Sequence, residues 1–336
     1  MGGYDTDVVV VGAGVMGLAT ARALARAGRE VLVIEQFEVG HDRGSSHGSA
    51  RIVRLSYPEE RWVRLAQESF PLWRALEAES GKELLELHGT VDIGDWAPNR
   101  RALEACGVAS EVLDAPDVGR RFPLHIERGV HALYQQDGGI VRADAALRAL
   151  AESAVAAGAE LRERQRVDAI DEGRDGVNVD GVRARACVVT AGPWAPKLAG
   201  VEARTTSETV VYCAFEGPVP SVIDTTAGTY HAYALTTPDR TLKAGLHKSG
   251  ADVDPDRSSP PDHELAARVA EWAERRFPGV GPSLALETCL YTIRANDEFL
   301  LERRGRVVVG SACSGHGFKF APAIGKRLAA LALEAG

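Results

Sequence analysis

The stretch that decides the fold is Val8-Val-Val-Val-Gly-Ala-Gly-Val-Met-Gly17, near the start of the chain. Four β-branched residues in a row are typical of a buried parallel strand. In the GxGxxG pattern, the first two glycines let the backbone turn tightly beneath a pyrophosphate, and Gly17 lets the following helix pack closely against the strand. Glu35 follows the second apolar run, residues 31–34, where a carboxylate would accept hydrogen bonds from an adenosine ribose. The stretch therefore predicts a βαβ unit that binds a dinucleotide.

The cofactor contacts expected from this unit surround the glycine turn and the end of the second strand. A helix N-terminus presents free backbone N–H groups and the positive end of its dipole to a phosphate. The glycines alone are weak evidence, but the strand, the helix and the acidic residue supply the context that the motif needs. The expected contacts are Gly12, Gly14, Val15, Met16, Gly17, Glu35 and Gln36.

The composition is typical of a globular chain with a large core. The chain has 336 residues, 45% of them hydrophobic, which suits one large domain or two interleaved ones. A net charge of −8 argues against a nucleic-acid partner, because phosphate binding requires a basic face. No apolar stretch is long enough to span a bilayer, and the first strand begins almost at once, so we expect no membrane partner and a cytoplasmic location.

The cysteines indicate neither a disulfide framework nor a zinc site. Their number is odd and no CxxC spacing occurs. We therefore expect most of them to be small buried hydrophobic residues, and we expect no metal. The five are Cys106, Cys187, Cys213, Cys289 and Cys313.

Helices and strands alternate along the first half of the chain. Residues 59–80 place apolar side chains at helical spacing, and Pro71 within them is expected to kink or break the helix. A further helix is predicted over residues 142–158. Residues 160–190 are expected to form strands about a turn at residues 175–176.

The second half begins with strands and ends by returning to the first pattern. Residues 205–250 alternate between strands and turns, which predicts a separate antiparallel sheet. A helix is predicted over residues 262–277. The strand predicted at residues 306–309 and the helix predicted from Phe320 onward are expected to rejoin the nucleotide-binding sheet.

Three later motifs, together with the N-terminal one, point to a family. They are Gly44-Ser-Ser-His-Gly-Ser-Ala-Arg-Ile-Val-Arg54, Thr288-Cys-Leu-Tyr-Thr292 and Ser314-Gly-His-Gly-Phe-Lys-Phe320. In this order they resemble the monomeric sarcosine oxidase family, close to N-methyltryptophan oxidase, within the FAD-dependent amine oxidases of the D-amino acid oxidase superfamily. The resemblance covers nearly the whole chain.

The resemblance implies an α/β fold with two interleaved domains. One is a glutathione-reductase-type Rossmann domain that binds FAD, and we expect it to comprise residues 1–82, 140–204 and 286–336. The other is a smaller substrate domain built on an antiparallel sheet, expected at residues 83–139 and 205–285.

The resemblance also implies a covalent flavin. In the family, the cysteine of the TC-x-YT motif is joined through its sulfur to the 8α carbon of FAD, which makes Cys289 the attachment residue. From the residues alone, Cys289 would be a buried structural thiol. Cys313 is the competing candidate, but it does not match the family motif.

Lys243 lies on a predicted strand whose two faces differ. Alternation places Lys243, Gly245 and His247 on one face and apolar side chains on the other. A lysine on the solvent side of an edge strand is the alternative. The resemblance makes Lys243 the cation beside the flavin that activates oxygen, because a fixed ammonium stabilises the negative charge that develops on O₂. It also makes His247 an active-site residue, with a hydrogen-bonded core histidine as the alternative.

Two arginines of the Gly/Ser-rich motif acquire different roles from the resemblance, although they could also be solvated charges. Arg51 matches the arginine near the flavin ring, and Arg54 matches the arginine that binds the substrate carboxylate. Lys319 matches the second carboxylate partner, and Tyr291 is expected at the substrate. A guanidinium makes paired hydrogen bonds to a carboxylate, so this set implies an amino-acid-like substrate.

The remaining FAD contacts implied by the resemblance come from four segments. They are Ser46, His47, Arg51, Val167, Ala191, Gly192, Trp194, Gly315, His316, Gly317, Phe318 and Lys319. The family active-site tyrosine of the roof sheet has no settled counterpart, and its register is open among Tyr230, His231 and Tyr233.

The expected reaction is oxidation of an amine that carries a carboxylate, with O₂ reduced to H₂O₂. N-methyl, secondary and cyclic amino acids are all compatible with these residues. One alternative is a flavin-dependent dehydrogenase that passes electrons to another acceptor. Another is a tRNA-modifying flavoprotein, which the negative net charge disfavours. The family precedent favours a monomer.

Overall fold

The structure is a computed structural model, and it describes residues 3–257 and 259–335. Residues 1, 2, 258 and 336, which belong to the expected domain ranges, lie outside the described residues. Over this part of the chain the helices are α1 (Val15–Arg26), α2 (Glu60–Ser80), α3 (Ala97–Ala105), α4 (Ala115–Arg121), α5 (Ala143–Ala156), α6 (Ala195–Ala199), α7 (His263–Arg276) and α8 (Ala321–Ala335). None of the helices in the described ranges is long and apolar enough to cross a membrane.

The strands of the same part of the chain form three sheets. They are β1 (Thr6–Val11), β2 (Val31–Ile34), β3 (Ala50–Val53), β4 (Leu85–Glu86), β5 (Thr90–Ile93), β6 (Glu111–Asp114), β7 (His131–Gln135), β8 (Gly139–Arg142), β9 (Glu160–Arg162), β10 (Ile170–Gly173), β11 (Gly176–Val179), β12 (Val182–Val189), β13 (Arg204–Ala214), β14 (Ser221–Asp224), β15 (Ala232–Thr236), β16 (Thr241–Leu246), β17 (Ala251–Asp252), β18 (Ser283–Ile293), β19 (Leu300–Arg304) and β20 (Val307–Ser311).

The first sheet has eight strands around a parallel centre. Strands β9, β2, β1, β12 and β20 lie side by side in parallel, and β11, β10 and β19 extend the sheet with antiparallel pairs. Its central strand β1 is buried on both faces, because Val8 and Val10 pack against the helices while Val9 and Val11 pack on the opposite face. The βαβ unit predicted at the start of the chain is confirmed.

The glycine at the start of α1 lets this helix approach the strand as expected. A Cβ at position 17 would lie 1.8 Å from the carbonyl oxygen of Gly12, a distance that no side chain tolerates. Helices α1, α5 and α8 pack together on one face of the sheet, with Leu18, Leu147 and Leu328 fully buried between them.

Pro71 was expected to kink or break its helix, and the break does not occur. Helix α2 runs without interruption from Glu60 to Ser80 and ends at Gly81 in the left-handed conformation, with φ 66°. Proline removes the N–H that would bond to the carbonyl of Gln67. Both residues are exposed, while Trp73 and Leu76 are buried on the opposite side of the helix. The stabilisation from burying the face with Trp73 and Leu76 outweighs the cost of the missing hydrogen bond at Pro71.

The second sheet is the antiparallel sheet predicted for residues 205–250, with additional strands on either side. Its order is β17-β13-β16-β15-β14-β5-β7-β6, and β18 pairs with β13. Side chains alternate along each strand, so Val211, Leu242 and Ala244 pack against helix α7 on one face. The other face looks into a cavity between the two sheets.

Strand β18 crosses the expected domain boundary at residue 286. It pairs with β13 along the register from Arg204↔Ile293 to Cys213↔Ser283, so its residues up to 293 belong to the second sheet. The chain returns to the first sheet only at β19 and β20. Strand β13 begins one residue before its expected range, at Arg204, and the remaining strands of both sheets lie within the expected ranges. The division into domains stays a prediction.

A buried ion pair attaches α7 to the second sheet. The carboxylate of Asp224 accepts hydrogen bonds from Arg276 Nε at 2.7 Å and from Trp272 Nε1 at 2.8 Å, and Asp224 has no exposed surface. Burial alone would raise the pKa of Asp224, but these partners and Thr226 lower it. Removing one partner of such a pair leaves a buried charge uncompensated.

We therefore expect Asp224→Ala to lower the free energy of unfolding by about 3–5 kcal/mol, as measured by urea denaturation. The matched control is Glu127→Gln, because Glu127 also bonds to Arg276 but its side chain is 58% exposed. This control is expected to cost less than about 1 kcal/mol. Equal losses in the two variants would contradict the assignment.

Candidate active site

A continuous cavity of about 640 Å³ runs from the glycine turn of β1 to the open face of the second sheet. At one end it is lined by Gly12, Gly14 and Glu35, and at the other end by Lys243 and His247. The cavity therefore joins the predicted nucleotide site to the predicted reaction site.

Backbone N–H groups and side chains are arranged around the nucleotide end. Glu35 accepts hydrogen bonds from Ala13 N at 2.7 Å and from Phe37 N at 3.0 Å, which fixes its buried carboxylate next to the turn. Ser46 Oγ accepts a hydrogen bond from Val15 N at 3.1 Å, at the first turn of α1. The predicted residues that line this end of the cavity also include Met16, Gln36, Val167, Ala191, Gly192 and Trp194.

The open face of the second sheet forms the roof of the cavity. Directly paired residues share a face, so Tyr212, Lys243 and Leu235 form one row and Val210, Gly245 and Tyr233 form the next. Lys243 lies on the central strand β16 and is 3% exposed, so it is not a solvent-facing lysine on an edge strand.

Strand pairing also resolves the register that the sequence left open. The ring of Tyr233 crosses over Gly245, where a Cβ would lie 2.7 Å from Tyr233 Oη. His231 lines the cavity as well, and its carbonyl accepts a hydrogen bond from His247 N at 2.7 Å. Tyr230 packs with the residues beneath α7 instead. Of the two tyrosines, Tyr233 is therefore the one that faces the cavity.

His247, Tyr291 and Gly315 pack tightly at the reaction end. The ring centroids of His247 and Tyr291 lie 5.7 Å apart. Gly315 has φ 76°, and a Cβ there would lie 2.4 Å from the ring of Tyr291 and 2.6 Å from that of His247. Burial, followed by the nearby Lys248 and His231, lowers the pKa of His247 to about 3, so its imidazole is neutral at physiological pH.

The thiol of Cys289 lies within a group of cations. Arg51 Nη2 donates to Cys289 Sγ at 3.5 Å and to the Ser45 carbonyl at 3.2 Å, and it also bonds to the His47 carbonyl. Burial alone would raise the pKa of the Cys289 thiol, but Arg51 and His47 lower it. A lowered pKa increases the thiolate fraction and hence the nucleophilicity of the sulfur.

His47 is held from the other side by Glu287. Its Nδ1 lies 2.7 Å from Glu287 Oε1, whereas its buried Nε2 has no hydrogen-bond partner within the described part of the chain. Burial alone would lower the pKa of His47, but Cys289 and Glu287 raise it to about 9. Tyr212 Oη donates a hydrogen bond to the other oxygen of Glu287. These contacts connect the Glu287 carboxylate of β18 with Tyr212 on β13 and with His47 in the loop before β3.

The two predicted carboxylate-binding cations converge on one aromatic ring. Arg54 Cζ lies 4.4 Å from the ring centroid of Tyr57, and Lys319 Nζ lies 5.6 Å from the same centroid. Arg54 Nη1 also donates to Asp92 at 3.3 Å, and Asp92 accepts hydrogen bonds from Asn99 Nδ2 at 3.0 Å and from Ser56 Oγ.

Lys319 has weaker compensation for its charge than Arg54. It is 5% exposed, and its Nζ donates to the carbonyl oxygen of His316 at 2.6 Å. Burial and the nearby Arg54 lower the pKa of Lys319 well below its usual value. An anion placed between these two cations would reverse that shift.

The family model for FAD dependent oxidoreductases matches residues 7–331 of the chain. The chain belongs to this family. It is 33% identical to a monomeric sarcosine oxidase of Streptomyces avermitilis over 97% of this chain and 93% of the relative. It is 29% identical to an N-methyl-L-tryptophan oxidase of Yersinia pestis over 98% of this chain and 95% of the relative. The resemblance read from the motifs is thereby confirmed.

A solved structure agrees with this assignment. NikD, described as an unusual amino acid oxidase essential for nikkomycin biosynthesis, superposes with a TM-score of 0.89 and 29% sequence identity. The match covers 99% of this chain and 95% of NikD. The two-domain α/β fold expected for an FAD dependent oxidoreductase is confirmed.

The residues along the cavity suit FAD, the cofactor of this family. The glycine turn and the N-terminus of α1 face one end, where the cofactor's phosphates would bind, and the roof residues face the other. Every predicted site residue lines this cavity except Gly17 and His47. Gly17 packs against the turn instead, and His47 bonds to Glu287 behind the wall.

Three residues of the site were missed by the sequence analysis. Tyr57 and Asp92 lie outside the recognised motifs, and nothing in the local pattern distinguishes them. Glu287 precedes Cys289 by two residues on β18, so strand alternation would have placed both on one face.

Proposed function

We propose that the protein oxidises an amino-acid-like amine, with an N-methyl, secondary or cyclic amine, to an imine and reduces O₂ to H₂O₂. The observation that carries the proposal is the pair of cations, Arg54 and Lys319, on Tyr57 in the same cavity as Lys243. When bound, FAD supplies the capacity to accept two electrons and a hydrogen from the carbon next to nitrogen and to pass electrons to O₂. The imine then hydrolyses in water.

The side chains around Tyr57 would orient the substrate. Arg54 presents a planar donor edge and Lys319 a point charge, which together suit one carboxylate. Asp92 keeps the guanidinium of Arg54 in a defined position. His247, with its low pKa, adds no charge and leaves the neighbouring volume free for a neutral amine.

Lys243 would support the reaction with oxygen. Its ammonium is held on a rigid central strand and buried from water, so its charge is little screened. A preorganised cation of this kind stabilises negative charge as it develops on O₂. Arg51 would provide a second positive charge at the flavin. It lies on β3, which is not part of the sheet that carries Lys243.

Covalent attachment of FAD at Cys289 is a separate part of the proposal. The lowered pKa of the Cys289 thiol and the donor Arg51 at 3.5 Å support it. Cys313 lacks this environment, because burial raises the pKa of its thiol. We further propose a monomer in the cytoplasm, a proposal supported by the relative named as monomeric and by the composition, and sedimentation of the purified protein would test the monomer.

The first experiment is an anaerobic titration of the purified protein with N-methyl and cyclic amino acids, followed by admission of air. Loss of flavin absorbance on adding a carboxylated amine, then recovery with formation of H₂O₂, is the expected result. Loss without recovery would indicate a dehydrogenase that uses another acceptor. No loss with any amine would remove the proposed substrate class.

We expect Arg54→Ala to raise KM for an amino acid about 10- to 100-fold, because a charge-assisted hydrogen bond contributes about 1.5–3 kcal/mol. KM for the corresponding amine without a carboxylate is expected to change much less. Steady-state kinetics with both substrates test this, with Arg64→Ala on the exposed side of α2 as the control. Equal effects on the two substrates would remove the carboxylate role.

For Lys243→Met, we expect flavin reduction by substrate to stay largely intact while reoxidation by O₂ slows about 100- to 1,000-fold. The reason is that the ammonium acts only on charge developing on oxygen. Stopped-flow absorbance separates the two half-reactions. A comparable loss in both would contradict the role of Lys243.

Acid precipitation tests the attachment of the flavin. The yellow colour is expected to remain with the precipitated wild-type protein, to be released by Cys289→Ala, and to remain with Cys313→Ala. Release of the colour from the wild type would rule out a covalent bond.

A further inference from the structure

We propose that Glu287 is a positioning residue that keeps the buried Lys243 ammonium charged and fixed at the roof of the cavity. The inference rests on the proposed role of Lys243 in the reaction with oxygen. It adds a residue that no motif includes and that does not itself line the cavity.

The two oxygens of Glu287 have different partners. Oε1 accepts from His47 Nδ1 at 2.7 Å, while Oε2 accepts from Tyr212 Oη and lies 4.0 Å from Lys243 Nζ. Each oxygen of the carboxylate therefore accepts a hydrogen bond, and Oε2 also lies next to the Lys243 ammonium.

Gly48 makes room for this arrangement. It has φ 100°, and a Cβ at this position would lie 3.2 Å from Glu287 Oε1, 3.3 Å from Lys243 Nζ and 3.2 Å from Arg51 Nη1. The backbone of the loop before β3 thus approaches all three charged groups where a side chain would push them apart. The cluster is built by the close approach of three separate segments.

No other carboxylate compensates Lys243 at short range. Within residues 3–257 and 259–335, Glu287 is the only carboxylate within 4.0 Å of Lys243 Nζ. The other groups that act on Lys243 are Arg51 on β3, which repels it, and Cys289 on β18 and Asp144 at the start of α5, which attract it.

The remaining neighbours contribute aromatic and hydrogen-bonding groups. The ring of Tyr212 on β13 lies with its centroid 5.2 Å from Lys243 Nζ, and Leu235 of β15 pairs with Lys243. His47, from the loop, carries positive charge and bonds to Glu287 rather than to Lys243. Burial and Arg51 therefore lower the pKa of Lys243, whereas Glu287 raises it.

The sign of the effect follows from this balance. Burial and Arg51 lower the pKa of Lys243 to about 8, although Glu287 opposes the shift. Removing the charge of Glu287 would lower the pKa further, so Lys243 would lose its proton at a lower pH. Because each pH unit changes the ratio of charged to neutral amine tenfold, the effect is measurable near neutral pH.

Two measurements on the holoenzyme are made as a function of pH. In both, we assign the inflection to the deprotonation of Lys243. The first is the rate of reoxidation by O₂ between pH 6 and 10, after chemical reduction so that no amine substrate is required. The second is a titration of the visible absorbance of the oxidised flavin, which requires no turnover. In both, Lys243→Met is expected to abolish the wild-type inflection, and Glu287→Gln is expected to move it down by about one pH unit or more.

Three further variants keep the result interpretable. Glu287→Asp retains the charge and is expected to give an intermediate shift, and Tyr212→Phe removes one hydrogen bond without removing charge and is expected to shift the inflection less than Glu287→Gln does. Glu302→Gln removes a carboxylate from the exposed strand β19 and is expected to leave the inflection in place.

An inflection that stays at its wild-type pH in Glu287→Gln would overturn the proposal. Persistence of the inflection in Lys243→Met would overturn it as well, since Lys243 would then not be the titrating group. A wild-type flavin that O₂ does not reoxidise would refute the proposed oxidase instead, and the absorbance titration would still decide the role of Glu287.

Discussion

The constraint on which the site depends is the burial of several positive charges in one cavity. Arg51, Arg54, Lys243 and Lys319 all lie at its reaction end, where the two lysines are buried and the two arginines are partly buried. Moving one such charge out of water costs several kcal/mol unless other groups compensate it. The surrounding chain must therefore bring polar partners from distant segments to each cation, and this requirement governs how the loop before β3 and the second sheet meet.

The junction of that loop with β18 shows how the requirement is met. Ser45 Oγ donates to the carbonyl of Leu290, and Leu290 N donates to the carbonyl of Gly44 at 3.3 Å. These bonds tie the loop to the strand that carries Glu287 and Cys289. The same loop turns at Gly48, whose missing Cβ lets the charged groups approach one another. Gly48 is thus required both for the turn and for the close approach of the charged groups.

The sequence predicted the elements well because their signals are local. The four valines, the glycine turn and the helix over 142–158 depend on residues close together in the chain, and all three were confirmed. Pro71 does not break its helix, and the local sequence does not show how much burial of Trp73 and Leu76 stabilises that helix. The boundary at residue 286 missed β18, because strand pairing between residues about 80 apart leaves no local signal.

The predicted site residues likewise follow from motifs, whereas their compensating partners do not. Glu287 and His47 are 240 residues apart, so neither sequence position indicates the other. The open register around Tyr233 was resolved only by its pairing with Gly245. Strand alternation placed Lys243 on the correct face but could not show which carboxylate lies opposite. Motifs locate the chemistry of such a site, and tertiary contacts determine its charge.

The distribution of these partners has a consequence for binding. Lys243 has Glu287 at 4.0 Å and Arg54 has Asp92 at 3.3 Å, whereas Lys319 has a carbonyl oxygen but, within the described ranges, no carboxylate within 4.0 Å. Burial and the nearby Arg54 lower the pKa of Lys319 well below its usual value. A substrate carboxylate between Arg54 and Lys319 would supply an anion that opposes this lowering of the pKa. On the proposed function, both cations would contribute to selectivity for carboxylated amines, and Asp92 would hold Arg54 in position while satisfying part of its charge.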